Sequence, residues 1–423
     1  MQRFTLSLAA PRLLALTLVP TLALGLAPAA HANEPPLAGS RCASAALVEP
    51  KFRDAALTAL EQLMVRAPGH RADGAVRSHH SAGHVDSQGH GWHQVSAYQA
   101  NLGLIGALNV SPQLLPTVAD WLRWQARHIA PVGELRGVVL DHWVRADSLE
   151  ESTCPPGMAA ALCRQVDAYD STAASTLLMA DAYLRHGGER QMLREPAVRQ
   201  ALEAAAATLR ALTTAEGLTL AKPGYPVAYT MDAVEVLAGW RAWARLQRDA
   251  FAEPQSAVNT FKLAERGHAN VQTRLWDEAR GLWRVGLGAD AAHGARWYPD
   301  TMAQAWPLLW DEDADSLARS GQAWRRAIAR WQGTTHWARQ TADPEGFWWP
   351  AAAVAAHCTG DAAAARTWVE RARARWLDPA APFAWPFQVG DLLWLLWLAE
   401  PQMTSPGAVA NAPSLPPSPR RVP

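Results

Sequence analysis

Five carboxylates stand where acid–base chemistry could use them. Asp170 opens an apolar segment that reads Tyr169-Asp170-Ser171, Asp232 and Glu235 lie three apart, Asp300 ends Trp297-Tyr298-Pro299-Asp300, and Asp167 precedes Asp170 by three residues. At the start of a helix Asp170 meets the positive end of the backbone dipoles, which lowers a carboxyl pKa and suits the ionised partner of an acid–base pair. The same position also suits a plain helix cap. Glu235 is flanked by Val234, Val236 and Leu237, so desolvation there raises its pKa toward that of a proton donor. The competing role is a buried carboxylate bonded to an arginine of a neighbouring helix. Asp232 shares a helical face with Glu235. Asp300 carries the same capping alternative as Asp170, and Asp167 is a weaker companion that could only brace its turn.

The elements that position these groups are helices. Segments with apolar period near 3.6 dominate and strand signals are scarce. The pattern predicts helices over 48–67, 94–109, 112–130, 171–187, 196–213, 230–249, 253–275, 300–311, 315–332, 350–359, 362–377 and 387–399. Links after the even helices are short, such as Val110-Ser111 and Thr359-Gly360-Asp361. Links before them are long: 68–93, 131–170, 214–229, 276–299, 333–349 and 378–386. Antiparallel pairs joined this way put every long link at one end. The even helices are apolar around most of their circumference, as in Leu392–Leu398, whereas the odd ones keep a charged face, so the even set is expected inside and the odd set outside. Six such pairs suggest a closed ring; an irregular superhelical array of the same pairs is the alternative.

The entrances to the even helices gather the polar and aromatic residues. They carry Trp92, His93, Tyr98 and Asn101; Tyr169; Lys222, Tyr225 and Tyr229; Trp297 and Tyr298; Trp348 and Trp349; and Trp385. Tryptophan is abundant, at 21 residues against 6 Tyr and 7 Phe, and these flat rings exceed what a core requires. Trp121, Trp124, Trp240, Trp243, Trp394 and Trp397 lie inside helices and are expected to pack. Together the entrances describe one polar, Trp-lined cavity. The histidine run of His70, His79, His80, His84, His90 and His93 has no HExxH spacing and lies in a Gly/Ser-rich stretch, so a flexible loop over the mouth is expected rather than a metal site. No dinucleotide, Walker or nucleophile-elbow motif is present, and no cofactor is expected.

This arrangement over about residues 45–400 resembles the six-hairpin, (α/α)6-toroid glycosidases, with Tyr-Asp-Ser at 169–171, Met-Asp-x-x-Glu at 231–235 and Trp-Tyr-Pro-Asp at 297–300 as its most suggestive pieces. The resemblance implies an all-α (α/α)6 toroid and a hydrolase acting on a polysaccharide or oligosaccharide, with inversion favoured. Such chemistry needs one carboxyl to protonate the leaving oxygen and another to serve water or the anomeric carbon. Trp92, Trp297, Tyr298, Trp348 and Trp349 are then the stacking candidates, and Lys222 could meet an anionic sugar. Two alternatives remain open. One is a polysaccharide lyase acting on a uronate-containing glycan through Tyr98, Asn101, His93 and Tyr229. The other is a sugar-binding accessory protein without catalysis.

Residues 1–32 read as a secretory leader: Arg3 and Arg12 precede and enter an apolar run over Leu13–Leu26, and Ala30-His31-Ala32 offers the cleavage site. The mature chain, 33–402 with a disordered Pro-rich tail at 403–423, is therefore expected in a secreted or periplasmic setting, without a membrane span and as a monomer. The 39 Lys+Arg balance 39 Asp+Glu, which argues against nucleic acid as a partner. Four cysteines in an oxidising compartment imply disulfides, with Cys154–Cys163 favoured as a local bridge and Cys42–Cys358 as the second; four free thiols are the alternative.

Overall fold

The computed structural model describes residues 45–130, 133, 136–166, 168–288, 296–333 and 336–401, which fall in one unit spanning Ser40–Pro423. The leader, Cys42 with its proposed bridge to Cys358, Asp167, and the Pro-rich tail lie outside the described residues. All twelve expected helices form. The outer set is α1 (Pro50–Leu63), α3 (Leu115–His128), α6 (Pro196–Leu212), α8 (Pro254–Asn270), α10 (Ala314–Ile328) and α12 (Ala362–Trp376). The inner set is α2 (Ala97–Val110), α4 (Tyr169–Arg185), α7 (Thr230–Asp249), α9 (Met302–Trp310), α11 (Pro350–Cys358) and α13 (Asp391–Ala399). A short α5 (Arg190–Leu193) was not expected and fills the link between α4 and α6.

The two sets start differently. Four outer helices open on Pro50, Pro116, Pro196 and Pro254 within their first turn, where the missing N–H costs nothing. Two more are capped by side chains, Asp313 accepting from the Ser316 N–H and Asp361 from the Ala364 N–H. No inner helix has a side-chain cap; α4, α7 and α13 instead carry Asp170, Asp232 and Asp391 in their first turns. Those carboxylates are helical residues rather than caps, which leaves their oxygens to be used by neighbours.

Each inner helix packs on the next in chain order, and α13 returns to pack on α2, so the ring closes as an (α/α)6 toroid. Small residues permit that closeness. A side chain on Gly106 of α2 would come within 2.5 Å of the Leu393 Cα in α13, and one on Gly239 of α7 within 2.7 Å of the Ala174 Cβ in α4. The circle is fastened where the Leu47 and Val48 N–H groups donate to the Leu398 carbonyl at 2.8 and 3.2 Å. Burial follows the expected division: every residue of α9 and α11 is buried, whereas α10 and α12 bury one face only.

The long links are more ordered than loops. The first two supply a four-stranded antiparallel sheet, β1 (His84–Val85), β2 (Gly91–Val95), β3 (His142–Arg145) and β4 (Glu151–Ser152), in that order. The histidine run expected as a flexible cover is thus partly strand, because β2 has eight-residue separation from β1 at its first pair and a complete partner in β3. Helix α2 accordingly starts at Ala97 rather than 94. Further pairs join β5 (Ala228–Tyr229) to β8 (Gly286–Leu287) and β6 (Trp276–Asp277) to β7 (Leu282–Trp283). Cys154 and Cys163 are disulfide-bonded just beyond β4.

Candidate active site

Glu235 stands about one and a half turns inside α7, 2% exposed, where four inner helices converge. Its Oε1 accepts the Tyr98 hydroxyl from α2 at 2.7 Å and the Trp306 indole N–H from α9 at 2.6 Å. From α4, Ser171 lies close and the charge of Asp170 is felt. Burial pushes the Glu235 pKa up to about 7, Asp170 adds to the rise, and the bonds from Trp306 and Tyr98 offset only part of it. The Tyr98 and Trp306 bonds both end on Oε1. Among the described residues no arginine pairs with Glu235, so the buried ion pair expected as its competing role is not the arrangement found.

Asp170 is wholly buried in the first turn of α4. Its Oδ1 accepts the Ser171 N–H at 2.9 Å and its Oδ2 accepts the Thr219 hydroxyl at 2.8 Å, so the carboxylate is held rigidly beside Glu235. Sequence reasoning missed another carboxylate on the inner ring. Asp391 opens α13, half-buried, and accepts the Gln388 N–H at 2.9 Å. It lies three residues before Trp394 and so on the same helical face. That face looks into the ring, because Trp394 contacts Trp306 and Trp310 of α9 at 5.7 and 6.1 Å between ring centroids. Burial raises the Asp391 pKa to about 7. Its only signal in the sequence was its position, the single charge before an uninterrupted apolar run.

An aromatic wall leads outward from Glu235. Trp306 meets Trp349 edge-on at 6.0 Å, and Trp349 stacks on Tyr298 at 4.9 Å and 21°. Phe347 bridges Trp349 and Trp385 at 6.4 and 5.2 Å, and Trp385 is 43% exposed. Trp349 holds a left-handed backbone (φ 49°) just before α11, unusual for a bulky residue, and its indole N–H donates to Asp343 at 2.7 Å. Of the expected stacking residues, Tyr298 and Trp349 belong to this wall. Trp348 turns the other way, stacked on Trp376 beneath the Arg371 guanidinium at 3.9 Å. Trp297 is covered by Trp331 and Trp337, and Trp92 is buried with its N–H on Asp86. Neither presents a free face to a ligand. Trp306, Phe347 and Trp385 complete the wall; Phe347 and Trp385 belong to the aromatic entrances read from the sequence, whereas Trp306, inside an apolar helix, gave no separate signal.

The remaining candidates divide. Asn101 is fully buried in a closed network with Trp121, Gln125 and Ser175, each of its amide atoms occupied, so it braces α2 against α3 and α4. Asp300 forms a two-bond ion pair with Arg296 at 3.1 and 3.2 Å. Asp232 is half-buried one turn nearer the mouth than Glu235. The Tyr169 N–H ties α4 to the Ala221 carbonyl at 2.7 Å. Tyr225 and Tyr229 share a hydroxyl contact at 2.9 Å, and exposed Lys222 sits over the Tyr225 ring at 5.7 Å. His93 is half-buried on β2. Among the described residues no group of three or more His, Cys, Asp or Glu is placed to hold a metal ion.

No protein-family model matches the chain, and no curated protein matches it. Solved structures similar to it include a rhamnosidase from Klebsiella oxytoca with rhamnose bound, at 12% identity and TM-score 0.49, covering 86% of this chain and 66% of that one. The chain thus spans just under two thirds of that rhamnosidase. An alpha-amylase from Clostridium perfringens is 12% identical at TM-score 0.49 over 82% of this chain and 96% of that one. The endoglucanase Cel10 of Klebsiella pneumoniae, a family 8 glycosyl hydrolase, is 16% identical at TM-score 0.43 over 82% and 99%. The toroid assignment itself rests on the closed ring of helix contacts in this chain.

Proposed function

We propose that the chain is a glycoside hydrolase acting on a polysaccharide or oligosaccharide, with Glu235 as the proton donor. The observation that carries this reading is a buried carboxyl with pKa near 7, bonded only by neutral donors, at the base of an aromatic wall. A group that titrates near the working pH is the most effective general acid or base. Protonated Glu235 donates to the glycosidic oxygen as the bond to the anomeric carbon breaks. Asp391, at the more open end of α13 and titrating in the same range, takes the second role and deprotonates the attacking water. The charge of Asp170, held by Thr219, raises the Glu235 pKa and helps Glu235 retain its proton. Tyr298 and Trp349 offer faces for the C–H side of a sugar ring.

Elimination at a uronate is less well supported, since Asn101 is locked in its own network and Tyr98 already donates to Glu235. An exported setting accords with the Cys154–Cys163 disulfide and with the leader read from the sequence. Among the described residues no helix is long and apolar enough to cross a membrane. The test is a product screen on neutral and acidic glycans with Glu235→Gln as the control. Reducing ends released by the native chain and absent with the variant support the reading. Unsaturated, ultraviolet-absorbing products, or glycan binding with no product at all, overturn it.

A further inference from the structure

Arg77, His79, His80 and His93 come together on the rim between the entrances of α13 and α2. Ser78 fixes the place. Its N–H donates to the Gln94 carbonyl at 2.7 Å, its carbonyl accepts the Val389 N–H at 2.8 Å, and its hydroxyl accepts the Ser96 N–H at 3.0 Å. The segment bearing Arg77, His79 and His80 is therefore clamped between β2 and the residues just before Asp391. His93 projects from β2 and its ring is bonded to the backbone of His79. All four side chains are half-buried, and among the described residues none forms an ion pair with a carboxylate.

Three histidines elsewhere do have a counter-charge. His90 sits on Asp86 at 3.1 Å, His128 on Glu151 at 3.1 Å and His268 on Asp311 at 3.0 Å. Here Arg77 Nε, His80 Nε2 and His93 Nδ1 are buried without any hydrogen-bond partner. A buried polar group left unpaired is costly, and more so when charged. Three in one place describe a site shaped for an acceptor that the described residues do not supply. The bases also oppose one another's charge: burial first, then Arg77 and the neighbouring histidines, lower His93 to about 4, and His79 and His80 fall for the same leading reason.

We infer that this cluster is a subsite for an anionic group on the substrate, the carboxylate of an acidic sugar, held beside the catalytic mouth. The inference rests on the glycoside hydrolase reading and adds a substrate class to it. Arg77 is the fixed positive charge and offers Nε–H. His80 offers Nε2–H as the matching tautomer. His93, whose other nitrogen is taken by the His79 backbone, donates through Nδ1 only when protonated, so a bound anion draws a proton onto it. The groups facing His93 are Arg77, His79 and His80 on the clamped segment, with Val144 opposite it on β3.

The test measures binding rather than turnover, on the full chain, with galacturonate and glucuronate against galactose, glucose and inorganic phosphate. The expected result is uronate binding at least about tenfold tighter than the parent neutral sugars, proton uptake in calorimetry, and movement of the His79, His80 and His93 ring resonances in the unaltered protein. Arg77→Gln is expected to remove that preference, and Arg77→Lys to restore part of it. Equal affinity for uronates and neutral sugars overturns the inference. So does phosphate binding as tightly as uronate, which marks a general oxyanion site. Uronate binding without product from any glycan sinks the hydrolase reading alone; products from neutral glycans without uronate preference sink the subsite alone.

Discussion

Two buried carboxylates on adjacent inner helices show what separates a structural group from a reactive one. Asp181 lies on α4 near the closed end of the ring and Glu235 on α7 near the mouth, each 2% exposed or less. Asp181 is met by two arginines, Arg185 at 2.9 Å and Arg245 at 2.7 Å. Burial acts to raise its pKa, but the two guanidinium groups outweigh that and hold it below the ordinary value. Glu235 suffers the same burial and receives only a phenol and an indole, so its pKa rises to about 7. Desolvation is common to both; the counter-charge decides which one stays ionised and which keeps a proton to give.

The sharpest way to break this comparison is to exchange function for stability at each site. Glu235→Gln is expected to cut turnover by about 10²–10⁴-fold while leaving the fold intact, as loss of a general acid does. Asp181→Asn is expected to do the reverse, costing about 3 kcal/mol by leaving two half-buried guanidinium groups without their counter-charge, with turnover of the folded fraction unchanged. Denaturant midpoints and active-site-normalised rates check both. Comparable turnover loss in the two variants removes the distinction.

The pH dependence sharpens it further. The folded pKa of Glu235 lies above its ordinary 4.5, so the native state binds more protons than the unfolded chain between 4.5 and about 7. Stability therefore falls as pH rises through that window, by roughly 3 kcal/mol for a shift of this size. Glu235→Gln is expected to flatten that slope and to melt higher than the native chain above pH 7. Asp181, with its pKa lowered, runs the other way, contributing stability above its unfolded pKa that is lost as pH falls through the folded value. Melting curves from pH 4 to 9 on the native chain and both variants test the signs.

Smaller effects are expected along the aromatic wall. Trp349→Ala removes a stacking face and an anchor to Asp343, and about a tenfold rise in KM is expected, roughly 1.4 kcal/mol. Trp385→Ala, at the exposed end, is expected to raise KM about two- to threefold and leave kcat alone. A larger effect at Trp385 than at Trp349 would place the sugar on the rim instead of in the ring.

Much of the architecture was legible because helix periodicity and link length are local properties. The apolar circumference of 350–358 and 391–399 required those helices to be inside, and the charged faces of 314–328 and 362–376 required theirs to be outside. The short strands were not legible, since two-residue pairings such as those of β5 with β8 depend on a partner more than fifty residues away. Glu235 was readable from its apolar neighbours, but whether an arginine would neutralise it was not. Asn101 and Trp297 looked like entrance residues and proved to be packing residues, because exposure at a helix mouth depends on which way the ring turns each side chain.

By itself, then, the sequence determined the helical pairs, which member of each pair is buried, the end at which polar residues gather, and the burial of Glu235. Those follow from composition within a turn or two of each residue. Tertiary structure alone decided that Tyr98 and Trp306 meet Glu235, that Asp391 shares a helical face with Trp394, and that four bases gather with no carboxylate partner among the described residues. The physical reason is that a pKa is set by groups within a few ångströms in space, and ring closure brings those from helices far apart in the chain.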